Sequence, residues 1–300
     1  MSKAKVILNP YAGRWLALQR KPEVEADLRS ADIDYELVQT ERPGHGIQLT
    51  AQAVREGFSP IISAGGDGSI SEVVNGLIEA AGDEVPPPLG IMPLGTANDF
   101  VVNLNLPTDL FVAAQVIATG KPKNVDLCQV NGHYFDNNSA IGLEPFITLI
   151  QERMTRLRGI TRYLVATLRG IMSNPQWKAR LQWEEGEYEG MVTLVTVGNC
   201  RRTGGIFYVT PHADPYDGLL TFVYGFMATR LQILRLLPRT MKPGPGNYVE
   251  HPAIHEIHTR WLRIHTETPT PMHTDGEIQS RAIQDLEYRV FPMRLPVILP

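Results

Sequence analysis

The sequence predicts an α/β protein: an amino-terminal three-layer α/β domain on a parallel sheet, followed by a carboxyl-terminal antiparallel β-sandwich domain. Three observations predict it. Up to about residue 125, short and nearly continuous apolar runs alternate with stretches of helical periodicity, as in strands covered on both faces by helices. Beyond that point short runs with period-two alternation follow one another with few helices between them, the pattern of a sandwich. Glycine-bearing turns also close three of the early strands, and open α/β sheets bind ligands beyond such carboxyl ends.

Taken in order, Val6-Ile7-Leu8 is a β-branched burst stopped by Asn9-Pro10. A helix is expected over 14–30, a strand at Tyr35–Val38, a helix over 47–56 and a strand at Pro60–Ser63. Gly65-Gly66 breaks that strand, after which Ile70, Val73, Val74, Leu77 and Ile78 recur at helical spacing. Pro88–Met92 is the next strand, and helical patterns follow near 96–104 and 108–118. Later strands are expected at 125–130, 133–139, 176–183, 187–197, 205–210, 218–224, 255–265 and 285–291, with helices near 143–156, 160–172 and 229–237. The domain boundary falls near residue 127, dividing 1–127 from 128–300, and the last ten to fifteen residues or so are expected to pack back on the first domain.

Composition narrows the function. Of 300 residues 43% are hydrophobic, enough for a large core. The 28 Lys and Arg against 32 Asp and Glu give a net charge of -4, which argues against nucleic acid as the main partner. Cys128 and Cys200 cannot form a disulfide framework or a cysteine-rich zinc site, and so few cysteines fit a reducing cytosol. No long apolar region follows the amino-terminal lysines, so no secretory signal is expected. No apolar run reaches the ~18 residues of a spanning helix. The expectation is a cytoplasmic protein whose membrane contact, if any, is peripheral.

The sharpest local signal is Ile61-Ile62-Ser63-Ala64-Gly65-Gly66-Asp67-Gly68-Ser69-Ile70-Ser71-Glu72, where a strand hands over to a helix. Three glycines are expected to let the main chain adopt positive φ and approach a ligand without a Cβ in the way, and the helix start offers amides and a positive dipole end to phosphate. Asp67 would repel phosphate directly, so a metal ion or hydroxyl is its natural partner. The turn lacks both the P-loop lysine and the GxGxxG spacing of dinucleotide sites. Asn9-Pro10-Tyr11-Ala12-Gly13-Arg14 and Pro93-Leu94-Gly95-Thr96-Ala97-Asn98-Asp99-Phe100 close two further strands, and Thr40 ends another, so the turns are placed to converge on one crevice.

In this order and at these intervals the motifs resemble the bacterial diacylglycerol kinase and sphingosine kinase-like lipid kinase family. The resemblance continues through Asn124-Val125-Asp126, Tyr134 to Asn137, Ile141-Gly142, Gly204-Gly205, Asp217 to Leu220 and Asp275-Gly276-Glu277, and so covers most of the chain. It implies a NAD kinase/diacylglycerol kinase-like nucleotide-binding domain, a nucleotide cleft between two domains, and transfer of a phosphoryl group from Mg-ATP to a lipid hydroxyl, with diacylglycerol the leading acceptor. By the resemblance, ATP-binding positions fall on Asn9, Pro10, Gly13, Arg14, Thr40, Gly65, Gly66, Asp67, Gly68, Ser69, Ser71 and Thr96. Asp67, Asp99 and Asp126 would organise Mg²⁺ and the phosphates. A second, structural Mg²⁺ site would map to Asp214, Asp217 and the Leu219 carbonyl, and the general base to Glu277. Ser69 and Ser71 stand where threonine and asparagine are usual, and Arg14 where a lysine often stands, replacing a point charge by a planar fork.

Two rivals share parts of this pattern. A NAD kinase has a similar glycine turn but typically adds an Asn-Glu pair and a TPTGSTAY-like segment, neither of which occurs here. A catalytically silent nucleotide- or lipid-binding regulator is opposed by intact Asp67, Asp99, Asp126 and Glu277. Ile150, Met154, Leu157, Leu164, Leu168 and Ile171 are expected on one helical face, with Arg153, Arg156, Arg158, Arg162 and Arg169 largely elsewhere, a basic amphipathic stretch suited to a membrane surface. His251, His255, His258, His265 and His273 lack zinc-ligand spacing and read as exposed strand residues. Oligomeric state, a homodimer included, is not read from the sequence.

Overall fold

The computed structural model describes residues 3–13, 15–154 and 159–300, and only the backbone of 159, 160, 162 and 163. Arg14, Leu157, Arg156, Arg158 and the Arg162 side chain therefore lie outside the described residues. The chain packs as two compact units. One comprises Met1–Leu127, His133–Asp136 and Phe291–Pro300, the other Cys128–Gly132 and Asn137–Val290.

The first unit runs β1 (Ala4–Leu8), α1 (Leu16–Ser30), β2 (Tyr35–Gln39), α2 (His45–Arg55), β3 (Ile61–Gly65), α3 (Asp67–Ala81), β4 (Leu89–Pro93), α4 (Asp99–Asn103), α5 (Leu110–Thr119), the start of β5 (Lys121–Val130) and β6 (His133–Phe135). Its sheet is parallel in the order β4-β3-β1-β2, with Val6 opposite both Leu37 and Ile62, and Ile62 opposite Gly90. β1, β3 and β4 are buried on both faces, which explains their continuous apolar reading, whereas edge strand β2 has no buried residue. One face carries Val6, Leu8, Ile62 and Met92 against Val24 and Leu28 of α1 and Leu110, Ala113 and Ile117 of α5. No residue of α2 or α3 belongs to that cluster. Those two helices pack on each other so closely that a Cβ on Gly76 would come 2.5 Å from the Ile47 carbonyl. The end of the chain joins this sheet, since Val297 pairs in parallel with Leu89 and Ile298 enters the same core.

The second unit contains β7 (Asn138–Gly142), α6 (Leu143–Glu152), α7 (Gly159–Ser173), β8 (Trp177–Trp183), β9 (Gly186–Val192), β10 (Leu194–Gly198), β11 (Leu220–Gly225), α8 (Arg230–Leu236), β12 (Ile254–Thr259), β13 (Trp261–Thr274) and most of β14 (Glu277–Leu299). Its strands are antiparallel in the order β12-β11-β10-β7-β13, with β13 also pairing β14 and β8, and β8 pairing β9. Leu143 and Ile147 of α6, Ala166 and Ile171 of α7 and Ile233 and Leu236 of α8 pack with Val223 and Met227. Trp183, Tyr188, Phe222 and Tyr224 form a separate aromatic layer. The whole is a mixed α/β protein with a β-sandwich-like second part.

The structure divides several runs that read as single strands. The 133–139 run breaks at Asp136-Asn137 into β6 and β7, the 187–197 run breaks between β9 and β10, and the 255–265 run breaks at Arg260. Residues 205–210 form no strand, only the isolated bridge Thr203–Phe207. Gly204 and Gly205 there take left-handed φ of 60° and 82°, and the Tyr208 and Val209 carbonyls accept side-chain bonds from Asn247 and Tyr248 instead of ladder bonds. The 96–104 helix shrinks to α4 because Asn98 sits left-handed at φ 48°. The expected single apolar face on the 143–172 segment is not one face: Met154 and Ile171 are buried, while Leu164 and Leu168 are exposed beside Met172.

Candidate active site

In the first unit three turns meet at the carboxyl ends of β1, β3 and β4. Asn9 follows β1, and its Nδ2 donates to Ser69 Oγ at 2.9 Å, tying the first turn to the first turn of α3. Asn9 Oδ1 accepts the Tyr11 amide at 2.9 Å, an Asx turn that shapes the loop holding the buried Pro10. Gly13 is left-handed at φ 57°, and a Cβ on it would lie 2.6 Å from the Leu94 carbonyl, so first and third turns touch through main chain. A Cβ on Gly95 would come 2.6 Å from Gly66 Cα, so second and third turns touch as well. At Gly65 a Cβ would meet Ser69 Oγ at 2.3 Å. Close approach of the protein's own atoms excludes a Cβ at these places; the positive φ expected of Gly65, Gly66 and Gly68 is not found.

Asp67 opens α3 and reaches across to the turn before α4, where the Phe100 amide donates to its Oδ1 at 3.2 Å. Burial holds its carboxyl above the usual range, partly offset by amides of Phe100, Asp99, Asp67 and Asn98. The side chain thus locks two glycine turns together while staying half-buried at the start of a helix. Asp99 and Ser71 are buried, Thr96 is exposed, and buried Thr40 continues β2 by donating its amide to the Leu8 carbonyl at 2.9 Å. Gly68 lies within the first turn of α3. Asp126 is fully buried in β5, and its Oδ1 accepts the Met293 amide at 2.7 Å.

Sequence reasoning missed the supports around these turns. Glu72 accepts the Gly44 and Gly46 amides, each at 2.7 Å, and so caps α2 with a carboxylate from α3. Asn75 exchanges two bonds with the Tyr134 backbone, at 2.8 and 3.0 Å. Nothing in a single sequence pairs residues so far apart.

In the second unit Glu277 opens β14 and faces solvent. Asp275 and Gly276, at φ 48° and 81°, make a two-residue hairpin turn of the left-handed kind, closed by the Thr274–Glu277 pair. Asp275 Oδ1 accepts the Asn137 and Asn138 amides at 3.0 and 3.1 Å, pinning the turn to β7. Glu277 lines an open polar pocket of about 380 Å³ with Thr148, Gln151, Glu152, Gly276 and Ile278. Between α6 and α7 an apolar groove of about 530 Å³ is lined by Phe146, Ile150, Val165, Leu168, Met172 and Arg169. Asp214 and Asp217 each accept the amide two residues on, from Tyr216 at 3.1 Å and Leu219 at 2.9 Å, in successive Asx turns. Among the described residues no group of three or more His, Cys, Asp or Glu side chains is gathered to hold a metal. The histidines do not all read as expected: His255 and His258 are exposed on β12, but His273 is buried and bonded to Glu144 at 3.1 Å.

These features define the class, a parallel-sheet α/β protein with glycine turns meeting at the carboxyl ends of its strands and an antiparallel sandwich-like second part. Known proteins of this class carry the comparison further. The diacylglycerol kinase catalytic domain matches residues 3–130, and the YegS C-terminal NAD kinase beta sandwich-like domain matches residues 138–299. The chain belongs to this diacylglycerol kinase-like lipid kinase family, an enzymatic family of phosphotransferases. The diacylglycerol kinase of Staphylococcus saprophyticus subsp. saprophyticus is 28% identical over 278 residues, covering 92% of this chain and 88% of its own. That of Staphylococcus haemolyticus is 29% identical over 277 residues, covering 91% and 82%. A crystal structure from Bacillus anthracis str. Sterne superposes with a TM-score of 0.81 at 24% identity, over 100% of this chain and 95% of that one. Another, of a diacylglycerol kinase from the same strain, gives 0.75 at 23% over 100% and 97%. At those identities the structures establish the fold.

Proposed function

We propose that this protein transfers the γ-phosphoryl group of Mg-ATP to the hydroxyl of a lipid alcohol, with diacylglycerol the leading acceptor. The observation that carries the reading is the meeting of three glycine turns at one edge of a parallel sheet, with Asp67 joining two of them. Phosphoryl transfer asks mainly for positioning and charge stabilisation, and the main chain of the Gly65–Ser69 turn at the amino-terminal dipole end of α3 would serve that need. Asn9, Pro10, Gly13, Arg14, Thr40, Ser71 and Thr96 would complete the nucleotide contacts.

Asp67, Asp99 and Asp126 would help organise a hard divalent cation together with the phosphates, since carboxylate oxygens are its preferred ligands, and a nearby positive charge would offset the burial that holds the Asp67 carboxyl above its usual range. Such an ion would neutralise charge on the phosphates. Glu277 would act as general base: it takes the acceptor hydroxyl proton as the oxygen bonds to the γ-phosphorus, and the bond to the bridging oxygen breaks to release ADP. The apolar groove between α6 and α7, with Arg169 at its lining, would receive the lipid's hydrocarbon. No helix among the described residues is long and apolar enough to cross a membrane, so contact through this face would be peripheral.

Transfer of a radiolabelled γ-phosphate to a total lipid extract, with NAD as a parallel acceptor, tests the reading. A labelled lipid supports it; labelled NAD would favour a NAD kinase, and no product with either acceptor a non-catalytic regulator. The Asp214–Asp217 turns would hold a structural Mg²⁺ with the Leu219 carbonyl and retained waters. Without nucleotide, added Mg²⁺ should raise the Tm of the protein but not that of the Asp214→Asn, Asp217→Asn double variant, since a ligand stabilises only the state that binds it. An equal rise in both would remove this site.

A further inference from the structure

The polar pocket holding Glu277 has two walls, one from α6 (Thr148, Gln151, Glu152) and one from the β13–β14 hairpin (Gly276, Glu277, Ile278). Something must fix their spacing. At the far end Glu152 of α6 pairs with Arg281 of β14 at 2.6 Å, but both side chains are exposed, and such pairs contribute little. The near end is built differently.

His273 stands opposite Ala140, and Ala140 opposite Thr196, so the three lie in one row across β13, β7 and β10. Residues directly opposite in antiparallel strands project from the same face. The small central alanine leaves a notch, and Glu144 from the first turn of α6 fills it. Its Oε1 accepts from His273 Nε2 at 3.1 Å and from Asn138 Nδ2 at 3.3 Å, while Oε2 accepts from Thr196 Oγ1 at 3.1 Å. His273 is buried, its Nε2 meets this carboxylate, and among the described residues its Nδ1 finds no hydrogen-bond partner. Burial pushes the Glu144 carboxyl up, but the His273 ring, with the Thr196 and Asn138 bonds, more than reverses this and holds it below its usual range.

We infer that Glu144 and His273 form a positioning pair that fixes the hairpin presenting Glu277 against α6. The pair acts through Glu277 and touches no reacting atom. His273 lies one residue before the Thr274–Glu277 rung, so a shift of β13 against α6 moves the base and changes the pocket width together. Misplacement by about 1 Å can cost on the order of 10²-fold in rate.

The inference rests on the proposed role of Glu277, and two measurements separate the failures. The first is amide hydrogen exchange, which needs no activity. In Glu144→Gln, exchange at Gly276–Ile278 should speed by about 10-fold or more while β3 and α3 stay as in wild type, because local opening is read residue by residue. Unchanged exchange at the hairpin overturns the pair. The second is a double-mutant cycle. Glu144→Gln should lower kcat by about 10–100-fold with KM for ATP unchanged, yet cost less than about 2-fold in a Glu277→Gln background. Equal losses in both backgrounds would make Glu144 a merely structural residue. Thr196→Val, which removes one donor and leaves the contact between Glu144 and His273, is the milder variant should Glu144→Gln fail to fold; it should give the same pattern at smaller amplitude, and wild-type behaviour in both measurements overturns the inference. If Glu277→Gln itself keeps full turnover, the catalytic reading falls, and the exchange result alone decides the pair.

Discussion

Glu277→Gln should lower kcat by about 10²–10⁴ while ATP binds as in wild type. A lipid hydroxyl is a poor nucleophile at neutral pH, and a base in hydrogen-bond reach removes its proton as the new bond forms. Glutamine matches glutamate in shape and keeps one acceptor oxygen, but cannot take the proton. The left-handed Asp275-Gly276 turn and the two amide bonds to Asp275 Oδ1 hold the hairpin and stay in place in this variant. Calorimetric titration with ATP and steady-state turnover on a lipid acceptor separate the two effects. A variant with wild-type turnover would take Glu277 out of the chemistry, and a variant that also lost ATP would place it in nucleotide binding instead.

The parts of the fold that the sequence discloses are those whose physics is local. Continuous apolar bursts at Val6–Leu8, Ile61–Ile62 and Leu89–Met92 mark strands buried on both faces, and the period of Ile70 to Ile78 marks α3. Glycines at 65, 66 and 95 stand out because close main-chain approach admits no Cβ, and the structure brings those turns into contact. What stays hidden depends on register between distant strands. That His273 is buried follows only once it is placed opposite Ala140, where Glu144 can reach it. Alternation alone also runs through Arg260 without a break, although β12 and β13 pair with different neighbours, β11 and β14. In the same way, apolar spacing in α7 does not reveal which side meets the core: Ile171 turns inward, and Leu164, Leu168 and Met172 turn out.

Gly95→Ala should weaken ATP binding by more than about 10-fold and lower stability by about 1–3 kcal/mol, as overpacking does. Gly95 does not have a left-handed φ, so the cost comes from contact and not from backbone strain. The new methyl would lie 2.5 Å from Asn98 Oδ1 and 2.6 Å from Gly66 Cα. The asparagine can rotate away, but Gly66 is main chain at the mouth of α3 and can yield only by moving the turn that offers its amides. Relief of the clash therefore spreads the second and third turns apart, and with them the Asp67 contact to the Phe100 amide. Gly244→Ala is the matched control: nothing lies within 4 Å of its Cβ position, so it should leave the free energies of ATP binding and of unfolding in urea unchanged within about 0.5 kcal/mol. If Gly95→Ala bound ATP as tightly as the control, the touching turns would be a packing feature of the sheet edge, and the nucleotide would have to be sought elsewhere in the protein.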